Sequence, residues 1–150
     1  MIAKLQNWDS SFWQEWLSKA PVLCVDAVIF NQKNEVLLVK RNTQPSEGLW
    51  HLPGGVVRKN ELLENTVKRV VATEVGSIDF EIIEMLGVFD DPKRDPRGHF
   101  VTCAFRLKTS SEVGPFNSQG EAIKYFNNLP AILGFDAKKI IAKAKAKAMI

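Results

Sequence analysis

Apolar positions along the chain fall into short blocks whose period changes from element to element. DSSFWQEWLSKAP places Phe12, Trp13, Trp16 and Leu17 on one helical face. A short helix is therefore predicted over about 10–19, capped by Ser10 or Ser11 and ended by Pro21. PVLCVDAVIFN and EVLLVKR read as strands around the turn NQKN, and both are apolar on both faces. Such strands belong to a sheet covered on both sides. LWHL is a short strand that runs into Pro53-Gly54-Gly55. The main helix is predicted from about Asn60, its cap, to Val75, with Gly76 just past its end. DFEIIEMLGVFD and HFVTCAFRLK are strands joined by the polar loop DPKRDPRG, AIKYF is a last strand, and a helix over about 136–148 closes the chain. Strands on both sides of one long helix, with a second helix at the end, predict an α/β sandwich with a mixed sheet. Neither a repeat nor a linker interrupts the pattern, so residues 1–150 are expected to form one domain. Two tryptophans on a short leading helix need a surface to cover, either the domain's own sheet or a partner subunit in a homodimer.

Composition narrows the class. Hydrophobic residues make up 45% and charged residues 25% of the 150, which is ordinary for a folded domain. Cys24 and Cys103 each sit in an apolar strand-like run, the usual place of a free thiol. No apolar run is long enough for a membrane span and no signal-peptide pattern opens the chain, so a soluble cytoplasmic protein is expected. The formal charge of +3 owes much to Lys138, Lys139, Lys143, Lys145 and Lys147, which are spread around a helix rather than gathered in a stripe. Arginines and aromatics interleaved on one surface are absent, and no nucleic-acid partner is expected.

The stretch HLPGGVVRKNELLENTVKRVVATEVG carries the candidate chemistry. The Gly54–Gly55 pair lets backbone approach a ligand closely, and a helix follows. Positions 70, 73 and 74 share one helix face. Glu74 is costly there if the face looks only into the core, and a ligand if it borders a cleft. Arg69 has no acidic neighbour one turn away, so its mate must be more distant, Glu61 or Glu74 being nearest. The loop DPKRDPRG is rich in turn initiators and reads as a solvated loop or as a substrate loop.

These residues resemble the Nudix box. Gly55, Glu61, Arg69, Val71, Glu74 and Gly76 keep its register without a gap, and Trp50 and Pro53 also match. The resemblance covers roughly residues 20–145, with the box at 55–77, and implies a Nudix-type α/β/α sandwich with a mixed β-sheet. The departures are Val70 and Thr73, where the family has glutamates, and Ser77, where it has an aliphatic residue. A box that keeps only its last glutamate is similar to that of GDP-mannose hydrolases, as are Arg41 and Asp26. That branch has a Gln-His pair in a late loop; Gln119 matches it and the His is missing. The second half is similar to ADP-ribose-type Nudix proteins and Nudix-like sensing domains, in which Arg94, Asp95 and Arg97 would face a diphosphate or ribose.

The resemblance implies a hydrolase of a nucleoside diphosphate linked to a sugar or ribose, dependent on Mg2+ or on Mn2+ in its place. Glu74, a carbonyl of Gly54 or Gly55, and Gln119 or Glu121 would hold one metal, since magnesium is commonly bound through one or two carboxylates plus substrate phosphates. Arg69 and Glu61 would brace the loop and Arg41 would hold phosphate. Glu121, His99 and His51 are the candidate bases, with Glu121 favoured and His51 read chiefly as packing. The alternatives are a weakly active or inactive nucleotide-sensing domain, and a hydrolase of nucleoside triphosphates.

Overall fold

The computed structural model describes residues 9–148. Its elements are α1 (Ser10–Lys19), β1 (Val22–Phe30), β2 (Val36–Lys40), β3 (Trp50–His51), β4 (Gly54–Val56), α2 (Leu63–Glu74), β5 (Phe80–Phe89), β6 (Phe100–Thr109), β7 (Ile123–Phe126) and α3 (Ala137–Ala148). The strands form one mixed sheet of order β3-β2-β1-β6-β5, with β4 also paired to β1 and β7 to β2. β1 and β6 run parallel from Val22 opposite Phe100 to Phe30 opposite Lys108. The other strand pairs are antiparallel.

Alternation along β1 divides the core. Val25, Ala27 and Ile29 pack with Val67, Val70, Val71 and Val75 at α2. Val28 and Phe30 point the other way and pack with Ala137, Ile140, Ile141 and Ala144 of α3. Successive strand residues face opposite sides, so the expected sandwich forms, with a helix on each face. Lys143 and Lys147 of α3 lean over β5, Lys143 above the Phe89 ring and Lys147 donating to the Leu86 carbonyl.

The helix ends differ from the sequence reading. Asp9 caps α1, its Oδ1 accepting from Phe12 N–H at 2.8 Å, in place of Ser10 or Ser11. Trp13 of α1 is buried with Val22, Val56 and Phe100, so the helix covers the chain's own sheet, while Phe12 and Trp16 stay exposed. α2 begins at Leu63 rather than near Asn60, and Asn60 lies in the left-handed region at φ 63°. The short polar side chain that suits a cap also tolerates that conformation. Gly76 follows α2 with φ 134°, donating to the Val71 carbonyl at 3.0 Å, as a glycine past a helix end should. No helix among the described residues is long and apolar enough to cross a membrane.

Candidate active site

β4 was expected as loop, and its geometry shows why it is strand. Gly54 lies opposite Asp26 of β1, and Gly55 opposite Val25. A Cβ on Gly54 would stand 2.3 Å from Asp26 Oδ1 and 2.9 Å from the Val25 carbonyl. Only glycine fits this approach. Asp26 is fixed in turn by Arg94, at 3.3 Å, and Arg94 holds Asp136 with two hydrogen bonds of 2.9 and 2.7 Å. Burial pushes the Asp26 carboxyl up to about 6, against the pull of Arg94.

α2 is tied to the same corner. Arg69 Nε donates to Glu61 Oε2 and its Nη2 to Glu61 Oε1, both at 2.9 Å, and Nη2 also donates to the Val56 carbonyl at 2.7 Å. Glu61 further accepts from the Thr66 hydroxyl and from Arg58 N–H. Chiefly through the Arg69 hydrogen bonds, its carboxyl is held down to about 2. Arg69 and Glu61 thus brace α2 against β4. Glu74 continues the buried stripe of Val67, Val70 and Val71, one turn further on, where the stripe reaches a pocket.

The pocket encloses about 90 Å³ beside Asp26, Arg41, Glu74, Arg94, Arg97 and Glu121. Gly54, Gly55 and Asp95 also border it, as do His51, Cys24 and Phe135. Glu74 and Glu121 are both buried and face one another. Burial, and then the Glu121 carboxyl, push Glu74 up to about 8. Asn117 positions the pair: its amide donates to the Glu74 carbonyl at 2.9 Å and to Glu121 Oε1 at 3.1 Å, and its Oδ1 accepts from Glu121 N–H. Arg97 is locked to Asp95 by hydrogen bonds of 3.0 and 2.7 Å. Arg41 is buried, donates from Nε to the Pro45 carbonyl, and lies 5.1 Å over the Phe135 ring.

Two sequence candidates lie elsewhere. Gln119 is exposed in the loop beside the pocket, its N–H on Asn117 Oδ1, and does not border the cavity. The loop turns Glu121 inward instead. His99 sits outside the pocket with Nε2 3.1 Å from the Asp90 carbonyl. His51 was read chiefly as packing, yet it borders the cavity; burial, and then Arg41, hold its ring down to about 3, so it is neutral. Phe135 was not singled out, and a phenylalanine before an aspartate carries no sequence signal of such a place. The two cysteines are free. Burial and then Asp26 push the Cys24 thiol up to about 12, far from a reactive thiolate.

No cluster of three or more His, Cys, Asp or Glu side chains suited to a metal occurs among the described residues. The donor set still fits one hard cation. Two buried carboxyls held face to face would suit one such ion, and a substrate diphosphate would supply further oxygens.

Comparison with known proteins agrees with this geometry. The NUDIX domain family matches residues 20–144. An ADP-ribose pyrophosphatase of Methanocaldococcus jannaschii is 37% identical over 81% of this chain and 71% of its own length. The low-salt glycan biosynthesis protein Agl8 of Haloferax volcanii is 31% identical over 76% of each chain. Among solved structures, the NUDIX domain of Shewanella oneidensis NrtR complexed with ADP ribose is 30% identical, with TM-score 0.72 over 95% of this chain and 94% of its own. With the box register, the sheet order and these relatives in agreement, the chain belongs to the Nudix hydrolase family.

Proposed function

We propose that the protein is a divalent-metal-dependent hydrolase of a nucleoside diphosphate linked to a ribose or sugar, with ADP-ribose the first substrate to test. The single observation that carries this reading is the buried Glu74–Glu121 pair in a pocket that also holds Arg41 and Arg97. Carboxyls for a cation and guanidiniums for phosphate are what hydrolysis of a diphosphate ester needs. Similarity to the ADP-ribose pyrophosphatase of Methanocaldococcus jannaschii supports the choice of ADP-ribose.

Glu74 and Glu121 would hold Mg2+ or Mn2+, which when bound supplies positive charge for the diphosphate. Arg41, with Arg97 behind it, would bind phosphate oxygens and take up charge on the leaving group. Glu121, as a ligand of the cation, is not also free to serve as the general base, and His99 lies outside the cleft. Asp26 and Arg94 set the floor of the pocket, and Asp95 aims Arg97. Phe12 and Trp16, exposed beside buried Trp13, offer a surface for a homodimer, which sedimentation would detect.

The test is incubation with Mg2+ or Mn2+ and a panel of ADP-ribose, nucleotide sugars and nucleoside triphosphates. Products are read by phosphorus and proton NMR. Release of monophosphates indicates attack at phosphorus, and a nucleoside diphosphate plus free sugar indicates attack at carbon. Equal trace rates for wild type and Glu74→Gln on every compound would sink the enzyme reading. A second reading then stands, a nucleotide-sensing domain. It is favoured by Val70, buried in the core where the box has a glutamate, and by the similarity to the ADP-ribose-bound NrtR domain.

A further inference from the structure

The cavity beside Glu74 and Glu121 encloses about 90 Å³. Pockets for nucleotide-sized ligands hold roughly 300–1,000 Å³. The Phe135 side chain borders this cavity. Its ring lies under the Arg41 guanidinium at 5.1 Å, under that of Arg97 at 5.6 Å, and edge-on to His51 at 5.9 Å. Its backbone is left-handed at φ 53°, a conformation unfavourable for a bulky residue and typical of functional sites. The chain is anchored on both sides of it. Gly134 N–H donates to the Trp50 carbonyl at 2.8 Å, and Asp136 is gripped by Arg94.

Two nitrogens near this ring are buried with no hydrogen-bond partner, Arg41 Nη2 and His51 Nε2. Unpaired buried polar atoms are rare, and each needs a reason. Arg41 is only 4% exposed, so bulk solvent does not reach it. A left-handed backbone and two orphaned nitrogens around one ring that borders the cavity share a single explanation.

We infer that Phe135 is a gate, and that its displacement opens a phosphate-oxygen site formed by Arg41 Nη2 and His51 Nε2. The inference rests on the diphosphate reading above and adds a ligand residue and a moving part to it. The imidazole is neutral, so it serves as a hydrogen-bond donor through Nε2–H, not as a second cation or as the base. Binding of the diphosphate satisfies both nitrogens at once and relieves the backbone at Phe135. In the closed state the ring keeps the like-charged Arg41 and Arg97 apart and dry.

The test uses the whole chain with ADP-ribose and, separately, inorganic pyrophosphate. Phe135→Ala is expected to raise the association rate for ADP-ribose several-fold, because the closed state no longer has to open first. His51→Leu is expected to weaken binding of both probes about tenfold, and His51→Gln to recover most of that loss. In the wild type, nitrogen-detected imidazole spectra should show the His51 signal moving on saturation and the His99 signal staying. That spectrum decides the matter if a substitution fails to fold. Wild-type binding with an unmoved His51 signal, or with an unchanged association rate in Phe135→Ala, overturns the gate and leaves the diphosphate reading standing. Failure of the wild type to bind either probe overturns both.

Discussion

Glu74 and Glu121, contributed by the end of a helix and by a loop almost fifty residues later, bring their buried carboxyls together beside one pocket. Without a cation the pair is a source of instability, and the sign of that effect can be worked out. Glu74 is pushed from 4.5 to about 8, so between those values the folded chain keeps a proton that the unfolded chain has released. Metal-free stability should therefore fall as pH rises through that window. Denaturant melts across it should slope downward for wild type, and Glu74→Gln should flatten the slope. Equal slopes would refute the coupling.

Magnesium should reverse the penalty. Added at about pH 8, it should raise the Tm of wild type and leave Glu74→Gln unmoved, because a ligand bound only by the folded state stabilises it by mass action. Differential scanning calorimetry with and without a chelator reads this directly.

The Arg69–Glu61 pair predicts the opposite pH response. Glu61 is held down to about 2, so its stabilisation is fully present above 4.5 and is lost as pH falls toward 2. Glu61→Gln should lower stability at neutral pH by about 2 kcal/mol, the scale of a hydrogen bond to a charged group. The loss should shrink in acid. Chemical melts at several pH values would show whether it does.

Gly54→Ala should disturb the site by geometry alone. The new Cβ would meet Asp26 Oδ1 and the Val25 carbonyl, so β4 must move or Asp26 must leave Arg94. A loss of about 1–3 kcal/mol, typical of overpacking, is expected together with weakened nucleotide binding. Gly114→Ala is the control, since its nearest contact would be 4.0 Å away.

Arg94→Met should be among the most damaging single changes. It strands the carboxylates of Asp26 and Asp136, which are both held by that guanidinium. Breaking such a pair costs about 3–5 kcal/mol. The double variant Arg94→Met, Asp136→Asn should recover part of the loss, and equal melts for the single and double variants would show that Asp136 is not strained by it.

Much of this was readable from the chain because hydrophobic period and box register constrain each other. The helix face shared by positions 70, 73 and 74 pointed to Glu74 as the carboxylate that would be costly in the core and useful beside a cleft. The distant mate of Arg69 followed from the absence of acids one turn away. What escaped depended on contacts made across the fold. β4 has glycines that disfavour strand, and it is strand because β1 leaves no room for a Cβ there. Whether Gln119 or Glu121 turns inward is settled by Asn117, whose side chain ties the loop to α2. Phe135 owes its place to anchors at Trp50 and Arg94, far away in sequence.

The parallel pairing of β1 with β6 joins strands far apart in sequence, from Val22 with Phe100 to Phe30 with Lys108. Everything between them, the Arg69–Glu61 brace and α2 included, is a loop that must close before that ladder can form. Distant pairings of this kind slow folding relative to local ones. Newly made chain can therefore form α2 and its Arg69–Glu61 brace early, and it acquires a working pocket only when β6, and after it the loop carrying Glu121, have arrived.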